Sequence, residues 1–226
     1  MYINRIHNPI DLIQKKSYFL FGARSIGKSA LIHKLLPENY AYINLVSTDV
    51  FLRLAAEPSL LEPMIMTKKF VVIDEIQKLP ILLDEVHRLI EEREIHFLLT
   101  GSSARSLKRK SANLLGGRAQ QTFLFPLTYA EIKNFDLEKH LLYGGIPRVH
   151  LAVDPELELD SYLQVYLEQE IQIEANLRSL PLFSRFLKVA AISNAQLINY
   201  SSIASDCGVS ENTVKEYYQI LVDTLI

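Results

Sequence analysis

The sequence has a single cysteine, no tryptophan, no long apolar run and no excess of either charge, and each shortage removes a class of answer. Cys207 alone excludes an internal disulfide and offers no thiolate metal cluster, so a reducing cytoplasmic setting is the expectation. No apolar stretch is long enough to cross a membrane, and the start, MYINRIHNPIDLIQKK, is too polar for a signal peptide. With 24 Lys+Arg against 26 Asp+Glu, nothing draws the whole chain toward nucleic acid or an anionic surface, so any such contact must be a local patch. The six histidines lack metal-ligand spacing. Glycine is scarce too, with eight in 226 residues, and two of them fall in one short segment, LFGARSIGKSAL.

That segment sits in an alternating pattern. SYFLF (17–21), AYINLV (41–46), KFVVID (69–74), IHFLLT (95–100) and QQTFLF (120–125) read as strands. KSALIHKLL, TDVFLRLAAEPSLL and ILLDEVHRLIEERE, lying between the first four, place apolar residues three or four apart, as helices do. Strands joined by crossover helices predict an α/β fold with a mainly parallel sheet covered on both faces. Beyond Pro126 the strands stop and helical patterns take over, one of them starting at Asp154-Pro155. The boundary therefore falls near 130, dividing the chain into a core over 1–130 and a smaller helical domain over 131–226.

Residues 22–29 fit G-x-x-x-x-G-K-S after a strand and at the opening of a helix. Glycines let the backbone wrap closely, so that successive N–H groups converge on a phosphate, helped by the helix N-terminus. Gly22, Ala23, Arg24, Ser25, Ile26, Gly27, Lys28, Ser29 and Ala30 are thus the expected ATP-binding stretch. In it Lys28 neutralises β/γ oxygens and the Ser29 hydroxyl ligates Mg²⁺. FVVIDEI then delivers Asp74 and Glu75 at the carboxyl end of a buried strand, where ligands bind in such sheets. Asp74 would hold Mg²⁺ through water and Glu75 would polarise the water that attacks the γ-phosphate, although acidic residues also end strands and cap helices for purely structural reasons.

Three further segments carry candidates. The strand ending LLTGSS places Thr100, with Ser102 close behind, where a polar group can orient that water, or where the serines merely cap a helix. RSLKRKSANLLGGR (105–118) has five basic residues and no acid. Either it is an ordinary solvated loop, or Arg118 is an arginine finger reaching a neighbour's γ-phosphate in a homo-oligomer while Lys108, Arg109 and Lys110 touch nucleic acid phosphates. YGGIPRVH (143–150) is either a plain helix–helix turn or a bend that returns Arg148 toward the nucleotide. The tail YSSIASDCGVSENTVKEYYQIL has helix-turn-helix spacing, with Ala204, Gly208 and Val214 at the packing positions. Its second helix carries Glu211, Lys215, Glu216 and Asp223, poor electrostatics for approaching DNA, so residues 180–226 are expected to act as a structural and partner-docking module.

In order along nearly the whole chain, YFLFGARSIGKSALI, YINL, FVVIDEIQKLP, LLTGSSARSLKR, GGRAQQTFLFPLTYAEI and YGGIPRV resemble the widespread prokaryotic AAA-type ATPases. These carry a winged-helix segment and then a C-terminal domain of unknown function. The run GR…PL…E is more distinctive than the phosphate loop alone. The resemblance implies an AAA+ core with the nucleotide strand between its sensor and fifth strands, ATP and Mg²⁺ as ligands, and site roles for Lys28, Ser29, Asp74, Glu75 and the LLTGSS residues. Arg118 and Arg148 carry over as arginines that complete the site. Similar proteins continue past the helix-turn-helix, whereas this chain stops at Ile226 before a wing strand, so a fragment or degenerate copy is the expectation. Two rival readings remain: an ATP-binding switch with little turnover, and a DNA-binding regulator with an accessory nucleotide site.

Overall fold

The five strand candidates pair into one sheet in a computed structural model that describes residues 2–102, 115–166, 171 and 179–225. They are β1 (Ser17–Phe21), β2 (Ala41–Asn44), β3 (Phe70–Asp74), β4 (His96–Gly101) and β5 (Ala119–Phe123). The order is β2-β3-β4-β1-β5 and every neighbouring pair is parallel. β1 lies between β4 and β5, as the resemblance implies. Phe19, Leu20, Val71, Val72, Phe97 and Leu98 are fully buried, because the central strands of a parallel sheet are covered on both faces. The register aligns the carboxyl ends: Asn44 opposite Asp74, Leu20 opposite Thr100, and Phe21 opposite Phe123.

Helices connect the first four strands. α1 (Pro9–Ile13) is capped by Asn8, whose Oδ1 accepts from Ile10 N at 3.1 Å. α2 is Lys28–Leu35. The continuous helix expected between β2 and β3 is broken into α3 (Thr48–Ala56) and α4 (Leu61–Ile65), with one 3₁₀ turn at Pro58–Leu60 between them. Pro58 causes the break, since proline has no N–H and its ring collides with the preceding helical turn. α5 (Leu82–Arg93) buries Leu82, Val86 and Leu89 at helical spacing, while Arg88 bonds Glu62, Glu85 and Glu92.

The chain separates into two compact units, Met1–Pro155 and Glu156–Ile226. The first extends beyond the boundary near 130 because α6 (Leu137–Tyr143) and α7 (Pro147–His150) fold back onto it. Leu127 N donates to Gly145 O at 2.7 Å, and a Cβ at Gly145 would lie 2.4 Å from Leu127 O, so only glycine permits this approach.

The second unit is helical, with no strand among its described residues. α8 begins at the unit boundary (Pro155–Val165) and is followed by α9 (Leu180–Ile192), α10 (Tyr200–Cys207) and α11 (Glu211–Thr224). α10 ends on Gly208 in the left-handed region, and Ser210 caps α11 by accepting from Thr213 N at 3.2 Å. The core holds Tyr166, Phe183, Phe186, Ile203, Cys207, Val214, Tyr217 and Ile220. Among the described residues of the whole chain, no helix is long and apolar enough to cross a membrane.

Candidate functional site

β1 delivers the chain to Gly22 at the carboxyl edge of the sheet, and the loop to Lys28 folds back tightly on itself. A Cβ at Gly22 would lie 2.2 Å from Ile26 Cδ1 and 2.5 Å from Leu124 O. Ile26 is fully buried and anchors the loop, while Ser25 and Gly27 adopt left-handed backbone with φ of 61° and 92°. α2 then starts on Gly27, whose carbonyl accepts from Leu31 N at 2.9 Å. Lys28 is 5% exposed, and its Nζ donates to Gly22 O at 2.8 Å and Ala23 O at 3.1 Å. Ala23 is buried, Arg24 and Ser29 are half-buried, and Ala30 is exposed. A helix N-terminus, a buried ammonium and a tight loop together form an anion-binding concavity.

β3 sets the acidic side. Asp74 is 2% exposed and both of its oxygens are engaged: Oδ1 accepts from Thr100 Oγ1, and Oδ2 accepts from Tyr42 OH at 2.7 Å. Burial first, and then the bond to the Asp74 carboxylate, push the Tyr42 phenol far above its ordinary pKa, so it remains a donor. Thr100 also accepts from Glu75 N at 2.9 Å, which fixes the peptide beyond β3. Glu75 itself has φ of 64° and ψ of 46°. Its Oε2 accepts from Gln77 Nε2, which also donates to Ser102 Oγ at 3.0 Å. Thr100 and Ser102 are therefore bonded to the Asp74–Gln77 turn, holding the two carboxylates in place.

Three groups escaped the sequence reading. Tyr42 and Gln77 touch the carboxylates directly, and Arg5 donates through Nη1 to the Ile26 carbonyl at 2.9 Å. The only sequence signal for Tyr42 was its place one strand away from β3, two residues before Asn44. Gln77 lay two residues after Glu75 in DEIQ. Arg5 lay in a polar segment with no pattern.

The outlying candidates fall elsewhere. Arg118 immediately precedes β5, whose first residue pairs with Ser17 at the start of β1. At about 3.3 Å per residue, the five residues from Arg118 to Phe123 put it roughly 16 Å from the level at which the phosphate loop begins. There it is ion-paired with Glu91 of α5, at the opposite end of the sheet from its own Lys28. Arg148 is in α7, beside the loop: Pro147 Cγ lies 4.0 Å from where a Cβ on Gly27 would stand. Lys108, Arg109 and Lys110 lie outside the described residues. In the helical unit, Lys215 Nζ sits 5.4 Å from the centre of the Tyr200 ring.

Comparison with known proteins bears on this arrangement. Residues 14–133, more than half the chain, match the family described as AAA domain, and residues 134–226 match a domain of unknown function (DUF8612). An uncharacterized protein of Haemophilus influenzae is 25% identical over 91% of this chain and 60% of its own length. One of Methanocaldococcus jannaschii is 23% identical over 88% of this chain and 54% of its own length. One of Mycobacterium tuberculosis is 26% identical over 69% of this chain and 36% of its own. The chain thus spans between 36% and 60% of the length of these curated relatives. Among solved structures, the Aeropyrum pernix ORC2 protein in its ADP form aligns with a TM-score of 0.47 and 14% identity, covering 98% of this chain and 87% of that one. The Thermotoga maritima RuvB Holliday junction branch migration motor aligns at 0.41 and 17%, covering 92% and 79%. A G-x-x-x-x-G-K-S loop between β1 and α2, an Asp-Glu pair ending β3, the 2-3-4-1-5 strand order and the match over 14–133 agree, and this chain belongs to the AAA domain family of P-loop proteins.

Proposed function

We propose that the chain binds ATP with Mg²⁺ at residues 22–30 and hydrolyses it, driving a conformational or assembly switch. One observation carries the reading. The buried Lys28 loop and the Asp74–Glu75 pair emerge at the same edge of one sheet, and Thr100 ties the pair together through bonds to both residues. Loop N–H groups and Lys28 bind the phosphates, and Ser29 and Asp74 are the groups that would hold Mg²⁺. Among the described residues no three His, Cys, Asp or Glu gather as a metal cage. One hydroxyl and one carboxylate are the oxygen donors that suit Mg²⁺ shared with substrate phosphates. When bound, the ion neutralises charge on the β- and γ-phosphate oxygens. Glu75 orients the attacking water and takes its proton, and Asp74 keeps its orientation through Tyr42 and Thr100.

The position of Arg118 supports a role in trans: it is remote from its own loop, so any nucleotide it reaches belongs to another copy, in a homo-oligomer. Arg148, on the helix beside Gly27, is the candidate for a second arginine in the same subunit. A specific observation favours the rival reading of a switch with little turnover, namely that Gln77 holds the Glu75 carboxylate. Nucleic acid contact through Lys108, Arg109 and Lys110 is a further proposal, resting on their charge alone. A reducing cytoplasmic setting fits Cys207, a free thiol buried in the helical unit.

Steady-state phosphate release and nucleotide-dependent thermal shift test the reading together. Lys28→Ala should abolish the shift given by Mg-ATP. Glu75→Gln should keep the shift while turnover falls by about 10²-fold or more. A wild-type shift in the first variant would remove the phosphate loop assignment, and unchanged turnover in the second would reject Glu75 as the base.

A further inference from the structure

The distinctive PL…E run, LTYAE ending at Glu131, has no part in the chemistry above, yet the structure ties it to the phosphate loop. The Glu131 side chain is 4% exposed and accepts at Oε1 from Arg5 Nε at 2.9 Å and Ile6 N at 2.9 Å. Its Oε2 accepts from Thr128 N at 3.0 Å. The Arg5 side chain is 5% exposed, and both of its Nη atoms donate to backbone: Nη1 to Ile26 O at 2.9 Å and Nη2 to Phe125 O. Leu124, one residue earlier, is the group whose carbonyl presses on Gly22. Segment 124–131 therefore backs the loop at both of its glycines, directly at Gly22 and through Arg5 at the Ile26–Gly27 peptide.

The consequence follows from peptide geometry. In a trans peptide the C=O and the following N–H point in opposite directions. By gripping the Ile26 carbonyl, Arg5 turns the Gly27 N–H away from itself, and it holds that peptide in a stretch where Ser25 and Gly27 both adopt left-handed backbone. An anion cradle works only if its N–H groups are aimed before the ligand arrives; otherwise ordering the loop subtracts from affinity. Glu131 in turn fixes Arg5 through a bond to Nε, leaving the two Nη groups for the carbonyls.

We propose that Arg5 and Glu131 are positioning residues for nucleotide binding: a pair of buried side chains that presets the Ile26–Gly27 peptide of the phosphate loop. The inference rests on the nucleotide reading above, and Lys28→Ala separates the two. The full chain is titrated with Mg-ATP well below each variant's melting temperature, with phosphate release followed over ATP concentration. Arg5→Lys keeps the charge but cannot reach Glu131, Ile26 and Phe125 together, and Glu131→Gln removes the charge. Each should weaken ATP binding about tenfold or more, and should raise KM while leaving kcat within about twofold. Glu62→Gln breaks the Arg88 cluster far along the chain and serves as control: it should lower the melting temperature and leave ATP affinity unchanged. If Arg5→Lys and Glu131→Gln melt earlier but bind ATP as the wild type does, the pair is only structural and the proposal fails. If Glu131→Gln does not fold, Arg5→Lys decides alone. Wild-type binding by Lys28→Ala would take away the nucleotide reading, and this inference with it.

Discussion

The carboxyl edge of the sheet and the core of the helical unit are built of opposite materials. At the sheet edge Lys28, Asp74, Thr100 and Ser102 are all buried, and the bonds of the last three run through Tyr42, Glu75 and Gln77. The helical core is almost wholly apolar and aromatic, with Tyr217 against Phe183 at 5.0 Å and Phe186 at 5.2 Å. Thr224 is its one buried polar residue among the described ones, and its hydroxyl meets Tyr166 OH at 3.0 Å. Burying polar groups is costly unless each is bonded, so a protein concentrates them where chemistry needs fixed donors. Packing alone explains the core of the second region, and the charge of its last helix does not favour an approach to DNA. α11 carries three acids, and its lone lysine lies over Tyr200.

The comparison can be broken or sharpened by experiment. The largest expected effect is at Arg118, which sits at the far end of the sheet and, on the reading proposed above, reaches the nucleotide of another copy. Specific ATPase activity should rise with protein concentration, and Arg118→Ala should remove that rise, an effect on the order of 10³–10⁵ where an arginine finger completes a site. Concentration-independent activity that survives the substitution would leave the low-turnover switch ahead.

Next comes the helical core. Phe186→Ala should destabilise its unit by about 3–5 kcal/mol, because a fully buried ring leaves a cavity that neighbouring rings fill only in part. Chemical denaturation followed by the signal of the helical unit reads this. A loss below about 1 kcal/mol would mean that the core tolerates voids and is not the packed module described.

The smallest effect is a pH dependence in the first unit. Burial alone would raise the Glu131 carboxyl, but bonds from Thr128 N and Ile6 N and from Arg5 outweigh it and hold the group below its ordinary 4.5. A lowered folded value means that the unfolded chain takes up the proton first. The stabilisation is complete above 4.5 and is lost as pH falls from there through the lowered folded value. Melting temperature measured across that interval should fall less steeply in Glu131→Gln than in the wild type.

Much of this was legible in the sequence, and the reason is locality. β1 has the bounds read from SYFLF, and α2 begins at the lysine of the motif, because a strand, a glycine turn and a helix start are each written in a few consecutive residues. The break at Pro58 was visible as a residue and underestimated as a helix breaker. The partners of the site were out of reach for a different reason. Tyr42 meets Asp74 across 32 positions and Arg5 meets Glu131 across 126, and no periodicity encodes a pairing that only the strand order brings about. Gln77 was close in sequence, but its bond to Glu75 depends on a backbone turn that the letters DEIQ do not announce.

That turn has an evolutionary consequence. Glu75 occupies a conformation natural to glycine and asparagine, at a cost of about 1–2 kcal/mol for an ordinary side chain. With Glu75 as the base proposed above, a lineage that needs turnover must keep the glutamate and bear that cost. A lineage that needs only the nucleotide-bound shape is free to place glycine there, which relieves the backbone strain and gives up the bond from Gln77. On the proposed reading, chains of this family that bind ATP without cleaving it should be recognisable by glycine or asparagine at this one position.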